Sequence, residues 1–144
     1  MENKIEKAYN EYMEINARFM LAVDQGNEVG KERERAEIRK WESKYSIEGV
    51  AFEQAFEQYK QSRQNGNDGL NIEDNIHDKP EFLKYLKANG ITTFTVSCPF
   101  DGLRHACEFL EAGCKVKGTT IVNGDEEPFT DEHEKLHALI LEIE

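Results

Sequence analysis

Four residues of this chain have the types and the spacing to do metal or nucleophile chemistry: Cys98, His105, His133 and His137. Zinc takes a thiolate and imidazoles together as mixed ligands in tetrahedral geometry. Cys98 closes a predicted strand, and His105 falls in the first turn of the helix expected after it. His133 and His137 follow the next predicted strand, four residues apart, so in a helix both rings face one way. If the two strands are parallel, all of these positions gather at one edge of the sheet. One structural zinc can then be held by Cys98, His105 and one or both of His133 and His137. The same cluster can be read as a Cys–His nucleophilic pair, with Cys98 activated ahead of a helix start. Pro99 and Phe100 match no nucleophile signature, however, and no oxyanion loop is evident. Cys107 and Cys114 read as core thiols.

The segment His133-Glu134-Lys135-Leu136-His137 spells HExxH. In a metalloprotease that motif lies on a long helix, with the Glu as base and a third ligand downstream. Here only Glu142 or Glu144 can supply that ligand, and the residues between read as a strand. The letters therefore favour bound metal more than proteolysis. Walker-type and GxGxxG phosphate loops are absent from the sequence. No catalytic residue is assigned, and the expectation is a binding protein rather than an enzyme.

The elements that must position these residues follow from apolar spacing. Ile5, Tyr9, Tyr12, Met13, Ala17, Phe19, Met20 and Val23 predict an amphipathic helix over 3–25. A thinner stripe of Val29, Ile38, Trp41 and Tyr45 predicts a second helix over 28–45, with Trp41 as a core anchor. Val50, Phe52, Ala55, Phe56 and Tyr59 predict a third over 47–64, capped by Ser46. Gly49 leaves open whether the last two are one rod or two. The Gly-, Asn- and Asp-rich stretch 65–77 reads as a mobile linker. Asp78-Lys79-Pro80-Glu81 is a helix start with cap, first-turn proline and capping-box acid.

Beyond Gly90 the period changes to that of strands. Strands are expected at 91–97, 114–122 and 138–143. A helix over 102–112, capped by Asp101, joins the first two, and a helical turn covers 130–136. The expected fold is α+β. An N-terminal helical hairpin or three-helix layer (1–64) and a linker (65–77) precede a small three-stranded β-α-β-β unit (78–144). The crossover is long enough for a parallel connection, and the last strand is expected to be antiparallel.

The run Phe94 to Val122, FTVSCPFDGLRHACEFLEAGCKVKGTTIV, resembles a C-terminal α/β module of small proteins from Firmicutes phages and mobile elements. The matching features are a strand ending in Ser97, a helix capped by Asp101, Gly113-Cys114-Lys115, and Gly118 within the next strand. The resemblance spans about 80–143 and carries no catalytic residues with it. In size and charge alone the chain is similar to anti-CRISPR inhibitors of Cas nucleases.

With 144 residues, 38% hydrophobic and 33% charged, the chain has enough apolar pattern for a core. It lacks a run of apolar residues long enough for a membrane span, and its start lacks a secretion signal, so a cytoplasmic protein with free thiols is expected. Net charge is -11 and uneven: 11 Lys and Arg stand against 13 Asp and Glu in residues 1–64, but 7 against 16 in 65–144. Such a field repels nucleic acid and favours a basic protein surface, and no membrane partner is expected of a chain without an apolar span. A merely soluble surface has the same composition. The expectation is an acidic protein-binding module, a mobile-element inhibitor of a host nucleic-acid enzyme such as a CRISPR-Cas nuclease. The alternative is a small zinc-dependent or thiol hydrolase.

Overall fold

The computed structural model describes residues 3–97 and 100–144. By contact the chain divides into two compact units, Met1–Val50 and Ala51–Glu144.

The first unit holds α1 (Lys4–Asp24) and α2 (Glu28–Ser46). Asn3 and Asn27 cap them, each side chain accepting from the amide three residues on, at 2.8 and 3.0 Å. Both caps are satisfied locally, so the two helix starts do not depend on packing. Trp41 anchors the pair: its indole N–H donates to the carbonyl of Ala8 at 2.9 Å, and its ring lies between Tyr12 and Tyr45. Trp41 therefore ties the two helices together with its one polar atom paired, but it is half-buried rather than part of the core as expected.

Ser46 does not cap the next helix. It ends α2, and its hydroxyl donates back to the carbonyl of Ser43. α3 runs from Gly49 to Gln64. Gly49 has φ +86, which stops α2 and restarts the chain as a separate helix.

The second unit continues with β1 (Asn71–Ile72), α4 (Lys79–Ala88), β2 (Thr93–Val96), α5 (Gly102–Glu111), β3 (Cys114–Glu126) and β4 (His133–Ile143). Asp78 caps α4 as expected, accepting from the Glu81 amide at 3.3 Å. Asp101 stands at the α5 cap position but makes no cap hydrogen bond. The fold is mixed α+β, with helices first and a sheet at the C-terminal end. The sheet has four strands rather than three, in the order β1-β2-β4-β3. β1 and β2 pair in parallel, and β4 is antiparallel to both β2 and β3.

Three further sequence expectations need correction. Residues 65–77 are not simply a mobile linker, since Leu70, Asn71, Ile72 and Ile76 are buried and Asn71–Ile72 is an edge strand. Burial of Leu70, Ile72 and Ile76 and a set of polar bonds place it together. Asn71 donates to Ser97 Oγ at 2.8 Å and accepts from Thr95 Oγ1 at 2.7 Å, which fixes its register on β2. The helical turn at 130–136 does not form: β4 begins at His133, and β3 reaches Glu126, so the last strands form one long hairpin. The two strands joined by α5 run the same way but do not pair, because β4 lies between them.

Phe94, Val96 and Leu141 face one side of the sheet. On that side Phe109 of α5 meets Phe94 at 5.2 Å between ring centroids and Phe82 of α4 at 6.4 Å. Burying each ring contributes roughly 2–3 kcal/mol. This aromatic cluster seats α4 and α5 on the sheet.

Candidate functional site

The histidines expected to share a metal are placed apart. His133 and His137 stand on β4, where a spacing of four again puts both on one face but sets their Cα atoms about 13 Å apart. A zinc ion needs ring nitrogens within about 2 Å of itself, so a strand does not offer this pair as a HExxH helix would. His105 is buried on α5, with no partner for its Nδ1 among the described residues. Burial, and then the Lys79 and Arg104 charges, hold its pKa below the ordinary histidine value. Cys98 lies outside the described residues. Among the described residues no three His, Cys, Asp or Glu side chains converge as a metal ion would need. Cys114 is a buried thiol, pushed up to about 11 by burial and then by the Glu144 charge. Cys107 is exposed on α5, against the expectation of a core thiol.

A different constellation forms around the β3–β4 hairpin. β2 pairs with β4 only as far as Leu139, so six further residues of β4 run past the sheet, about 20 Å of strand. The base of this arm is fixed. The Asn67 side chain donates to the carbonyl of Asn123 and accepts from its amide, both at 2.9 Å. His133 Nδ1 donates to the carbonyl of Gly124 at 2.9 Å, since a carbonyl can only accept. Gly124 permits the close crossing, because a Cβ there would meet the Leu136 side chain at 2.9 Å.

The end of the arm is anionic and apolar at once. Residues 123–134 hold Asp125, Glu126, Glu127, Asp131, Glu132 and Glu134, with no Lys or Arg. Phe129 sits at the turn with φ +66 and a relative exposure of 107%. The closest ion-pair partner described there is His133, whose Nε2 is 3.9 Å from Glu126.

Beside the arm, Glu73 follows β1. Its carboxylate accepts from Gln61 at 2.7 Å, Asn65 at 3.3 Å and Asn71 at 3.5 Å. All three donors are neutral amides. Burial, then the nearby Asp125 charge, raises the Glu73 pKa above the usual carboxylate range. Gln58 completes the support, accepting from the Glu73 amide at 2.8 Å and donating to Asp74 at 2.9 Å. Glu73 and Asp125 thus form an anionic spot with no ion-pair partner among the described residues.

Sequence reasoning found the acidity of this half but not the arm that concentrates it. The available signal for the Glu73 cradle beside it was Gln58, Gln61 and Ser62, polar residues at helical spacing on a face of α3 that packing uses, continued by Asn65 just past the helix. Such a stripe announces a buried hydrogen-bonded layer rather than an apolar one.

No helix among the described residues is long and apolar enough to cross a membrane. No curated protein matches the chain, and no solved structure does. The family described as a domain of unknown function, DUF7698, matches residues 54–143, more than half of the sequence, and the chain belongs to that family.

Proposed function

We propose that this chain is an acidic protein-binding module that presents the tip of its β3–β4 hairpin to a basic surface. The observation that carries this reading is the run 123–134, six carboxylates without one Lys or Arg, three on either side of the exposed Phe129 in sequence. An aromatic anchor inside a charged rim is how many protein interfaces divide the work. The ring fills a dry pocket and supplies affinity, while the rim steers encounter and selects the partner.

Nucleic-acid enzymes carry basic grooves for phosphate, so they are the partner class that fits this charge. An inhibitor of a host nuclease, a CRISPR-Cas nuclease among them, is the form of this function that the mobile-element resemblance suggests. The acidic field disfavours direct nucleic-acid binding. The reading is one of binding rather than turnover. The zinc or thiol hydrolase draws no support from β4, which holds His133 and His137 apart.

The test is binding and inhibition measured across salt with a panel of purified CRISPR nucleases and other basic nucleic-acid enzymes. Affinity for at least one is expected to fall steeply as salt rises. Phe129→Ala is expected to weaken it by about 2 kcal/mol, or roughly 30-fold. Binding indifferent to both salt and Phe129→Ala contradicts the proposal.

A further inference from the structure

The amphipathic pattern of α5 exceeds what the fold covers. His105, Ala106 and Phe109 are buried. Glu108 lies on the flank toward α4, because its carboxylate meets the Lys79 ammonium at 2.9 Å. On the opposite flank stand Leu103, 81% exposed, Cys107, also exposed, and Leu110, 38% exposed. Their spacing of four and then three places them in one stripe, one above another. Isolated exposed leucines need no explanation, but a continuous stripe on a helix rich in apolar residues does.

The charges bordering the stripe indicate what covers it. Arg104 and Glu111 flank it one residue beyond Leu103 and one beyond Leu110. Among the described residues Arg104 makes only long ion-pair contacts, with Asp101 at 3.5 Å and Glu108 at 3.6 Å. Glu111 is exposed and has no ion-pair partner among the described residues. An antiparallel copy of the same helix, related by a twofold axis at Cys107, sets Leu103 opposite Leu110 and Leu110 opposite Leu103. The same operation brings Arg104 of each copy against Glu111 of the other. A parallel alignment leaves Arg104 and Glu111 of the two copies on opposite sides of the seam and pairs neither. The stripe is therefore self-complementary in shape and in charge under a single antiparallel twofold, the commonest symmetry of homodimers.

We infer that the Leu103–Cys107–Leu110 flank of α5 is the contact surface of a homodimer, formed by antiparallel packing of α5 on its twofold mate. The sheet face beside it adds to the contact. Val116 and Ile121 are exposed on β3, and their β4 partners Leu141 and His137 put them on the face that α5 covers. The hairpin tip takes no part, so a dimer carries two copies of the acidic arm.

Sedimentation equilibrium of the full chain, from about 1 µM to about 1 mM, tests this. Wild type is expected to pass from monomer to dimer within that range. Leu103→Asp is expected to be monomeric throughout with an unchanged far-ultraviolet circular dichroism spectrum, since Leu103 supports nothing inside the fold. Arg104→Glu and Glu111→Arg are each expected to raise the dissociation constant about tenfold, and the double variant to recover most of that loss. A wild type that stays monomeric at every concentration overturns the inference. So does a dimer untouched by Leu103→Asp, or a double variant no tighter than the single ones.

Discussion

The helical unit and the hairpin arm use charge in opposite ways. Along α1 and α2 many carboxylates have a cation at hand. Glu34, only 3% exposed, meets Arg18 at 3.1 Å and Arg33 at 3.5 Å. Glu11 meets Lys44 at 3.0 Å, Glu37 meets Lys40 at 3.2 Å, and Glu48 meets Lys4 at 2.8 Å. These pairs neutralise the surface, and Arg18–Glu34 and Lys44–Glu11 also tie α1 to α2. In the arm, six carboxylates stand within twelve residues, and the nearest described partner is one histidine. Mutual repulsion there is a standing cost to the fold. The difference separates charge that serves the structure from charge left available to something else.

Substitutions in the two regions should diverge accordingly. Trp41→Ala removes the ring between Tyr12 and Tyr45 and the indole bond to Ala8. It is expected to cost about 3 kcal/mol in urea unfolding. Glu34→Ala leaves two guanidinium groups without their shared carboxylate. Both keep access to water, so a loss of about 1–2 kcal/mol is expected. Glu127→Gln, Asp131→Asn and Glu132→Gln together are expected to shift stability by no more than about 0.5 kcal/mol, and toward greater stability. A loss as large as that of Glu34→Ala would mean the arm's acids are structural after all, and the contrast would fail.

The smallest effect concerns His105. Its folded pKa lies below the ordinary 6.5, so the unfolded chain takes up the proton first as pH falls. His105 therefore leaves stability unaffected above that value and erodes it as pH drops through 6.5 toward the folded pKa. Lys79 from α4 and Arg104 from its own helix oppose the charged ring, while Glu108 and Asp101 partly offset them. Denaturant midpoints between pH 8 and pH 5 should fall less in His105→Gln than in wild type. Equal slopes would contradict this account of the buried ring.

Much of the architecture was legible because the signals were local. The apolar spacing of the helices and the Asp78-Lys79-Pro80-Glu81 start are such signals. The Asn3 and Asn27 caps, by contrast, were not read, and Gly49 left the second break open until its φ of +86 closed it. β1 was not legible, since a strand of two residues, with Leu70 and Ile72 the only apolar pair there, is too short for an alternation to stand out of a turn-rich stretch. The arm was misread for a related reason. Asn123 to Glu134 has turn and helix-start residues in sequence, and only pairing across the hairpin makes its ends strands. A spacing of four puts His133 and His137 on a common face in a helix and in a strand alike. It therefore could not reveal that the rise per residue would separate them.

Matched sets of substitutions test the central claim most directly. One set removes three acidic charges from the tip, Glu127→Gln, Asp131→Asn and Glu132→Gln. The other removes three from the helical unit, Glu14→Gln, Asp24→Asn and Glu42→Gln. Affinity for a basic nucleic-acid enzyme that binds wild type is then measured for both at one salt concentration. The tip set is expected to lose at least about tenfold in affinity while the helical set stays near wild type. Equal losses would show that net charge alone drives association, and that the arm is not the binding surface.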